Sequence, residues 1–221
     1  MATRLRSVTR SGTLATVFSV RTDKELHALM ACLCVLFEDL RIELSGVQAD
    51  DLGTLDECNK SGRKFYFLRR SIATLHEFAT AIQELDQLPS FQAIKADFNV
   101  VVAKHWVSAV VYFKDHANYI ARMRNNVGGH FGRASAKAAI AHLLPDAAGS
   151  LEVIFTNRGG GAKLFFANEI VATGALYHVP GSCVSAKSRR LVRHALVAFR
   201  KATRAVDCIV YAYLWERFGR G

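Results

Sequence analysis

The strongest constraint on the fold is an apolar seam at helical spacing between residues 65 and 82. Apolar residues follow one another at alternating intervals of three and four: Phe65, Leu68, Ile72, Leu75, Ala79 and Ile82. This a/d spacing is typical of a helix that packs in an antiparallel bundle or against a second copy of the chain. The helix should stop before Pro89, because the residue that precedes a proline disfavours the helical conformation. We interpret the seam as core, with a dimer contact as the alternative.

Apolar periodicity predicts four further helices. The first opens with a capping box, in which Thr22 covers backbone donors and Glu25 reaches back to the backbone of Thr22. The apolar pattern of this helix ends near Gly46, and the polar, acidic residues 46–62 are expected to form a loop. The four expected ranges are 22 to about 46, 90–125, 134–144 and 185–218. The predicted fold class is therefore mainly α, a helical bundle.

One segment, near residues 151–167, departs from the helical pattern. Its sequence, LEVIFTNRGGGAKLFFA, has two short β-prone runs on either side of a glycine-rich turn. That arrangement predicts a small β-hairpin inserted between helices. A phosphate-binding loop is the alternative, but the glycines lack the GxxxxGK[ST] spacing that such a loop needs.

Composition favours one packed domain over residues 21–221, after a basic and flexible leader over residues 1–20. The chain of 221 residues is 51% hydrophobic and 22% charged, which is typical of a globular domain. Its longest apolar runs, such as Ala28–Phe37, reach about half of a membrane span. The five cysteines are odd in number and stand at no zinc-ligand spacing. We expect reduced cysteines, no metal, no cofactor, no membrane span and a cytoplasmic location.

The charge balance indicates a polyanionic partner. The formal net charge is +10 and the isoelectric point is near 9.6, which favours RNA, nucleotide or an anionic surface. On the last predicted helix, Arg189, Arg193, Arg200 and Arg204 fall within about 60° of one another at 100° per residue. They form either a solvated face or a stripe that faces the phosphates of RNA.

The segment YIARMRNNVGGHFG, residues 119–132, combines a cation, a helix break and an imidazole. Helical arithmetic places Arg124 on the apolar stripe of the third predicted helix, so the sequence predicts a guanidinium on the core face. Gly128 and Gly129 then break the helix and allow His130 to return towards Arg124. The alternative is a simple helix end, at which a cation is favourable and the glycines form the cap.

Arginine and histidine without carboxylates suit metal-independent cleavage of RNA. Histidine can transfer protons near neutral pH, and the planar fork of arginine can neutralise two phosphate oxygens. Asn125 can orient either group or hold the phosphate.

The spacing of Arg124, Asn125 and His130 at the end of a long helix resembles the R-x(4–6)-H motif of the HEPN superfamily, and within it the abortive-infection type U group. The resemblance covers about residues 60–145. It implies a HEPN-like helical bundle, a homodimer with a composite cleft, and ribonuclease activity in toxin–antitoxin or phage-defence systems. Arg124 would stabilise the phosphate, His130 would transfer protons and Asn125 would support them. An antitoxin protein would be a further partner.

Two other functions stay open at this point. The chain could be a non-catalytic module that binds nucleotide, RNA or protein through a basic cleft, or a helical scaffold in which the motif is only a helix cap. His105 and His116 lie close to the apolar stripe of the third predicted helix, and we interpret both as structural residues at the edge of the core.

Overall fold

The computed structural model describes residues 8–18, 23–48, 57–125, 133–143, 151–156, 159–177 and 179–218. The elements in these ranges are α1 (Leu14–Val17), α2 (Lys24–Gln48), α3 (Glu57–Gln87), α4 (Pro89–Ala96), α5 (Val100–Met123), α6 (Arg133–Ala141), β1 (Leu151–Thr156), β2 (Gly159–Leu164), α7 (Phe165–Tyr177), α8 (Val184–Ile209), a π-helical turn (Val210–Leu214) and α9 (Trp215–Arg217). The described part of the chain is mainly helical.

Four long helices, α2, α3, α5 and α8, pack around the core. Helix α2 packs against α3 and α8, and α5 packs against α3 and α8. Aromatic contacts join these pairs, with Phe37 stacked on Phe199 at 5.7 Å between ring centroids and Phe78 against Phe113 at 5.3 Å. The predicted helical bundle is confirmed at this level.

The seam on α3 is core, as predicted. Leu68, Ile72, Leu75, Ala79 and Ile82 are all buried, while Phe65 is half-buried. The helix ends at Gln87, before Pro89. Burial of a side chain of this size stabilises a fold by about 1.5–3 kcal/mol, so the seam commits α3 to the interior.

Two predicted boundaries around α2 and α3 need correction. The side chain of Asp23 caps α2, with its Oδ1 accepting a hydrogen bond from the Leu26 backbone N–H at 3.0 Å. Thr22, the predicted cap, lies outside the described residues. Helix α3 begins at Glu57, so the last part of the predicted loop 46–62 is helical.

The third predicted helix, 90–125, is two helices in the structure. Helix α4 ends at Ala96, and α5 begins after Asn99, whose side chain accepts hydrogen bonds from the backbone N–H groups of Val101 and Val102, both at 3.0 Å. An asparagine in this position satisfies helix-start donors that otherwise have no partner. The apolar pattern runs through the break, so periodicity alone does not reveal it.

Helix α7 was not predicted from the sequence. Its residues are apolar or small on nearly every side, so it lacks the amphipathic period that marks a surface helix. It packs against α3 and α6. Before it, β1 and β2 pair antiparallel, with Leu151 opposite Leu164 and Thr156 opposite Gly159. Helix α7 begins at Phe165, so the last three residues of the predicted hairpin segment 151–167 are helical.

Part of the predicted leader packs onto the end of the chain. Val17 is fully buried, and its carbonyl accepts a hydrogen bond from the Arg217 guanidinium at 3.1 Å. The Arg10 guanidinium lies 4.1 Å from the centre of the Trp215 ring and donates to the Trp215 carbonyl at 2.9 Å. Residues 10–18 therefore belong to the packed domain.

None of the helices that the structure describes is both long enough and apolar enough to span a bilayer. Four cysteines are free thiols, and they do not share one environment: Cys208 is buried, Cys34 half-buried, and Cys32 and Cys183 exposed. Burial raises the pKa of the Cys34 and Cys208 thiols to about 11.

Asp86 ties three helices together at one end of the bundle. Its Oδ1 accepts hydrogen bonds from Trp106 Nε1 of α5 at 2.7 Å and from Lys95 Nζ of α4 at 2.6 Å. Trp106 is fully buried, so its N–H has no access to solvent as a substitute acceptor.

We expect Asp86→Ala to destabilise the fold by about 1–3 kcal/mol, the cost of leaving a buried donor unpaired. The free energy of unfolding in urea measures this change. Asp115→Ala, which removes an exposed carboxylate from α5, is the matched control and should change the free energy by less than about 0.5 kcal/mol. Equal effects of the two substitutions would contradict the structural role of Asp86.

Candidate nucleic-acid interface

Arg124 and Asn125 lie at the C-terminal end of α5 and both are exposed. The backbone turns from α-helical to π-helical at these two residues, and the Arg124 N–H donates to the carbonyls of Ile120 and Ala121. Arg124 Nη1 donates to Asn125 Oδ1 at 3.3 Å. The arginine and the amide are therefore neighbours on an accessible helix end.

The prediction that Arg124 occupies the core face is wrong. Met123, with 2% exposure, takes the last buried position of the stripe, and Ile120 precedes it. A guanidinium is costly to bury without a partner, and its long side chain can reach solvent from a helix end. The exposed position also agrees with the helix-cap alternative.

His130 lies outside the described residues, together with the glycines at 128 and 129. The proposed approach of its imidazole to Arg124 therefore stays a prediction. Of the three predicted catalytic residues, the structure brings together Arg124 and Asn125.

The arginines predicted on the last helix are exposed, and three of them line open grooves beside α8. The main groove, which we call the basic groove, runs between α5 and α8 with a volume of about 550 Å³. Its lining residues are Tyr112, His116, Arg189, Arg190, Arg193, His194 and Val197. An adjoining groove of about 600 Å³ along α8 shares Arg189, Arg193 and Val197 with the first and extends to Arg200. Arg204 is exposed on α8 but is not among the residues that line either groove.

The α5 side of the basic groove carries a histidine with a defined tautomer. His116 is half-buried, stacks on the Tyr112 ring at 4.2 Å, and has its Nδ1 2.9 Å from the Tyr112 carbonyl oxygen. A carbonyl only accepts, so Nδ1 carries the proton in this contact. In the neutral ring Nε2 is then an acceptor, and on protonation it becomes a donor.

The second histidine of the basic groove, on α8, has several cationic groups close to it. His194 is half-buried, with its ring 5.0 Å from that of Tyr119. Burial lowers the pKa of His194, and the charges of Arg190, His116 and Arg193 lower it further. An anion in the groove would relieve this repulsion.

Next to His194 lies a small apolar cavity of about 30 Å³, lined by residues of α3, α5 and α8. The Tyr119 hydroxyl is buried and makes no hydrogen bond within the described residues. Burial raises the pKa of Tyr119, although Arg190 and Arg122 act in the opposite direction, so the hydroxyl keeps its proton at neutral pH. The Tyr119 side chain lines this cavity and not the basic groove itself.

Charge patterning in the sequence could have revealed this site. No acidic residue occurs between Asp115 and Asp146, or between Glu169 and Asp207, and the second interval holds seven lysines and arginines. The structure packs α5 and α8, which carry parts of these intervals, side by side. Across the described residues, Arg189, Arg190 and Arg193 form no ion pair with a carboxylate. Arg190, His194 and Tyr119 were not predicted, and His116 was assigned a structural role.

Packing forces the two cationic segments together. The buried face of α8 consists largely of small residues, Ala195, Ala198, Ala202 and Ala205, which allow neighbouring helices to approach closely. Below the groove, Lys201 Nζ donates to Ser108 Oγ at 2.6 Å, and the Cys208 thiol contacts the Val102 carbonyl oxygen at 3.4 Å. These contacts join α8 to α5 along its length.

Within the described ranges, no three histidine, cysteine or acidic side chains come close enough together to hold a metal ion. Comparison of the chain with protein-family models, with curated proteins and with solved structures finds no match. The inference of function therefore rests on the residues themselves.

The lowered pKa of His194 predicts a loss of stability in mild acid. The unfolded state binds the proton first, at the ordinary histidine value of about 6.5, so stability is fully present above that pH and falls as the pH drops towards the folded value. His194→Gln should flatten this dependence in urea unfolding followed from neutral pH downwards.

A second measurement tests whether the charge of Arg190 lowers the pKa of His194. In NMR titrations, Arg190→Gln should raise the pKa of His194, whereas Arg204→Gln, on the same helix outside the basic groove, should leave it unchanged. The groups that face His194 are Tyr112, His116 and Tyr119 from α5 and Arg190 and Arg193 from α8. An unchanged pKa in the Arg190 variant would contradict the electrostatic account.

Proposed function

We propose that this protein is a metal-independent RNA endonuclease of the HEPN type that holds RNA in the basic groove. The observation that carries the proposal is the placement of an exposed Arg124–Asn125 pair at the end of α5, the helix that supplies one wall of that groove. Substrate binding and the proposed chemistry would thus share one helix.

Distance along α5 supports this arrangement. His116 and Arg124 are eight residues apart, which corresponds to about 12 Å along a helix with a rise of 1.5 Å per residue. An RNA strand whose phosphates contact Arg189, Arg190 and Arg193 can therefore extend to Arg124. Exposed arginines without acidic partners suit phosphate oxygens, because each planar guanidinium donates in pairs.

The proposed reaction uses the chain's own residues. A histidine base, His130, takes the proton of the 2′-hydroxyl, whose oxygen then attacks the adjacent phosphorus. The bond from phosphorus to the 5′-oxygen breaks, and that oxygen takes the proton from the His130 imidazole as the 2′,3′-cyclic phosphate forms. Arg124 stabilises the charge that gathers on the phosphate in the transition state, and Asn125 orients the guanidinium.

A homodimer belongs to the same proposal, since two copies of the motif would then face one cleft. Val100, Val107 and Val111 form a stripe on α5 with exposures of 85%, 54% and 48%, an apolar surface that a second copy could cover. The biological role would be that of a toxin or phage-defence effector in the cytoplasm, with an antitoxin protein as a regulator.

The second candidate is a non-catalytic module that binds RNA, nucleotide or protein. The basic groove favours it, because the groove lies wholly within the described residues and needs no contribution from His130. Both candidate functions place the ligand in the basic groove. They differ in whether Arg124, Asn125 and His130 are catalytic.

Substitution of the motif separates them. We expect expression of the wild-type chain in bacteria to slow growth and fragment RNA, and Arg124→Ala or His130→Ala to abolish both effects. Purified protein should cleave RNA in the presence of EDTA. Equal toxicity of wild type and variants, or cleavage that EDTA abolishes, would contradict the nuclease proposal; RNA binding that persists without cleavage in the wild type would favour the binding module.

Salt dependence tests the groove in either case. The logarithm of the RNA affinity should fall linearly with the logarithm of the salt concentration, and Arg193→Gln should reduce that slope by roughly one counterion. Arg41→Gln, an exposed arginine of α2 paired with Glu38 at 2.8 Å, is the charge-matched control. Equal slopes for the Arg193 variant and the wild type would place the RNA elsewhere on the protein.

A further inference from the structure

We infer that the basic groove contains a subsite for a phosphomonoester, the terminal phosphate of an RNA strand or of a nucleotide, held by His116, His194, Arg190 and Arg193. The inference rests on the proposed function as far as it concerns RNA. The phosphate subsite itself depends only on described residues.

Charge density is the first argument. Three arginines and two histidines line one groove, and no carboxylate is among the lining residues. An internal phosphodiester carries one negative charge, whereas a terminal phosphomonoester carries up to two and presents three acceptor oxygens. The groove therefore matches the terminal group better than the internal one.

The direction of the donors is the second argument. Arg190 and His194 are four residues apart on α8 and share the face that meets α5, as Arg189 and Arg193 share the neighbouring face. From the opposite wall, His116 keeps Nδ1 on the Tyr112 carbonyl and leaves Nε2 for a ligand. Donors thus approach the same space from two helices, as a tetrahedral anion requires.

Tyr119 and His194 also favour a bound anion. The Tyr119 hydroxyl is buried and makes no hydrogen bond to any residue that the structure describes, and its ring lies against His194. Burial and neighbouring cations disfavour the charged form of His194, so an anion would promote its protonation and gain a further charge-assisted donor.

The expected selectivity follows from the hydrogen bonds between the terminal phosphate and the charged donors of the basic groove. Each hydrogen bond to a charged group contributes enough for roughly a tenfold to hundredfold change in affinity. Loss of the terminal phosphate should therefore weaken binding of a short RNA by at least about tenfold, while the phosphates within the strand still contact the remaining arginines.

The test compares two short RNA strands of one sequence, with a 5′-phosphate and with a 5′-hydroxyl, on the full-length wild-type chain. Both strands are 2′-O-methylated, which removes the nucleophile and prevents cleavage, and carry a 3′ fluorophore for anisotropy. Inorganic phosphate and adenosine 5′-monophosphate serve as competitors, so that the terminal phosphate of RNA is distinguished from a free phosphate source.

We expect the 5′-phosphorylated strand to bind at least about tenfold more tightly, and adenosine 5′-monophosphate to remove that advantage. The double variant His116→Gln, His194→Gln should lose the preference and keep the weaker binding. His105→Gln, a half-buried histidine of α5 outside the basic groove, is the matched control and should keep the preference.

Each contrary result has a separate meaning. Equal affinity for the two strands overturns the subsite and leaves RNA binding intact. Binding of adenosine 5′-monophosphate without binding of either strand supports the subsite and contradicts the RNA function, and no binding of any probe overturns both. Should the double variant fail to fold, NMR of the wild-type chain decides: titration with inorganic phosphate should shift the His116 and His194 ring signals, and unshifted signals overturn the inference.

Discussion

The packing of α8 against α5 is the contact on which the rest of the structure depends. Half of the buried residues of α8 are alanines, so the two helices approach closely while Trp106, Phe113 and Ile120 fill the space towards α3. Hydrophobic burial and shape hold the pair together. The same contact brings two cationic segments side by side, which costs electrostatic energy. The interior of the bundle thus maintains a surface that like charges alone would not assemble.

The repulsion between these cationic side chains determines what the basic groove can bind. The arginines are held near one another by a backbone whose position is fixed elsewhere, and the two histidines lie within their field. A site in which charges are pre-arranged and unpaired binds an opposite charge with little reorganisation. In this fold the cationic side chains are arranged before any ligand binds, because core residues, and not the groove residues themselves, determine the positions of the helices.

Most of the helices could be predicted from the sequence because their buried faces repeat at the helical period. The seam of α3 and the buried stripe of α5 are examples. Helix α7 could not be predicted this way, since its residues are apolar on nearly all sides. The break at Asn99 was missed because the apolar period continues across it, while the cap depends on one side chain.

The candidate site was predictable in part. Helical arithmetic grouped Arg189, Arg193 and Arg200, but it could not tell a solvated face from a groove, because the second wall comes from α5. It also placed Arg124 on the core face, where the long side chain instead reaches solvent from the helix end. His116 and His194 lie far apart in sequence, so their proximity is a property of tertiary packing; the acid-free intervals were the available signal.

The separation of the two walls in sequence has a consequence for synthesis. Helix α5 leaves the ribosome well before α8, and until α8 follows, the apolar stripe of α5 lacks one of its two main neighbours. The basic groove exists only after both helices have docked, since its donors come from each. An activity that depends on this groove is therefore withheld from the nascent chain until α8 has been synthesised and has packed against α5, a delay that the order of the helices imposes without any added inhibitor.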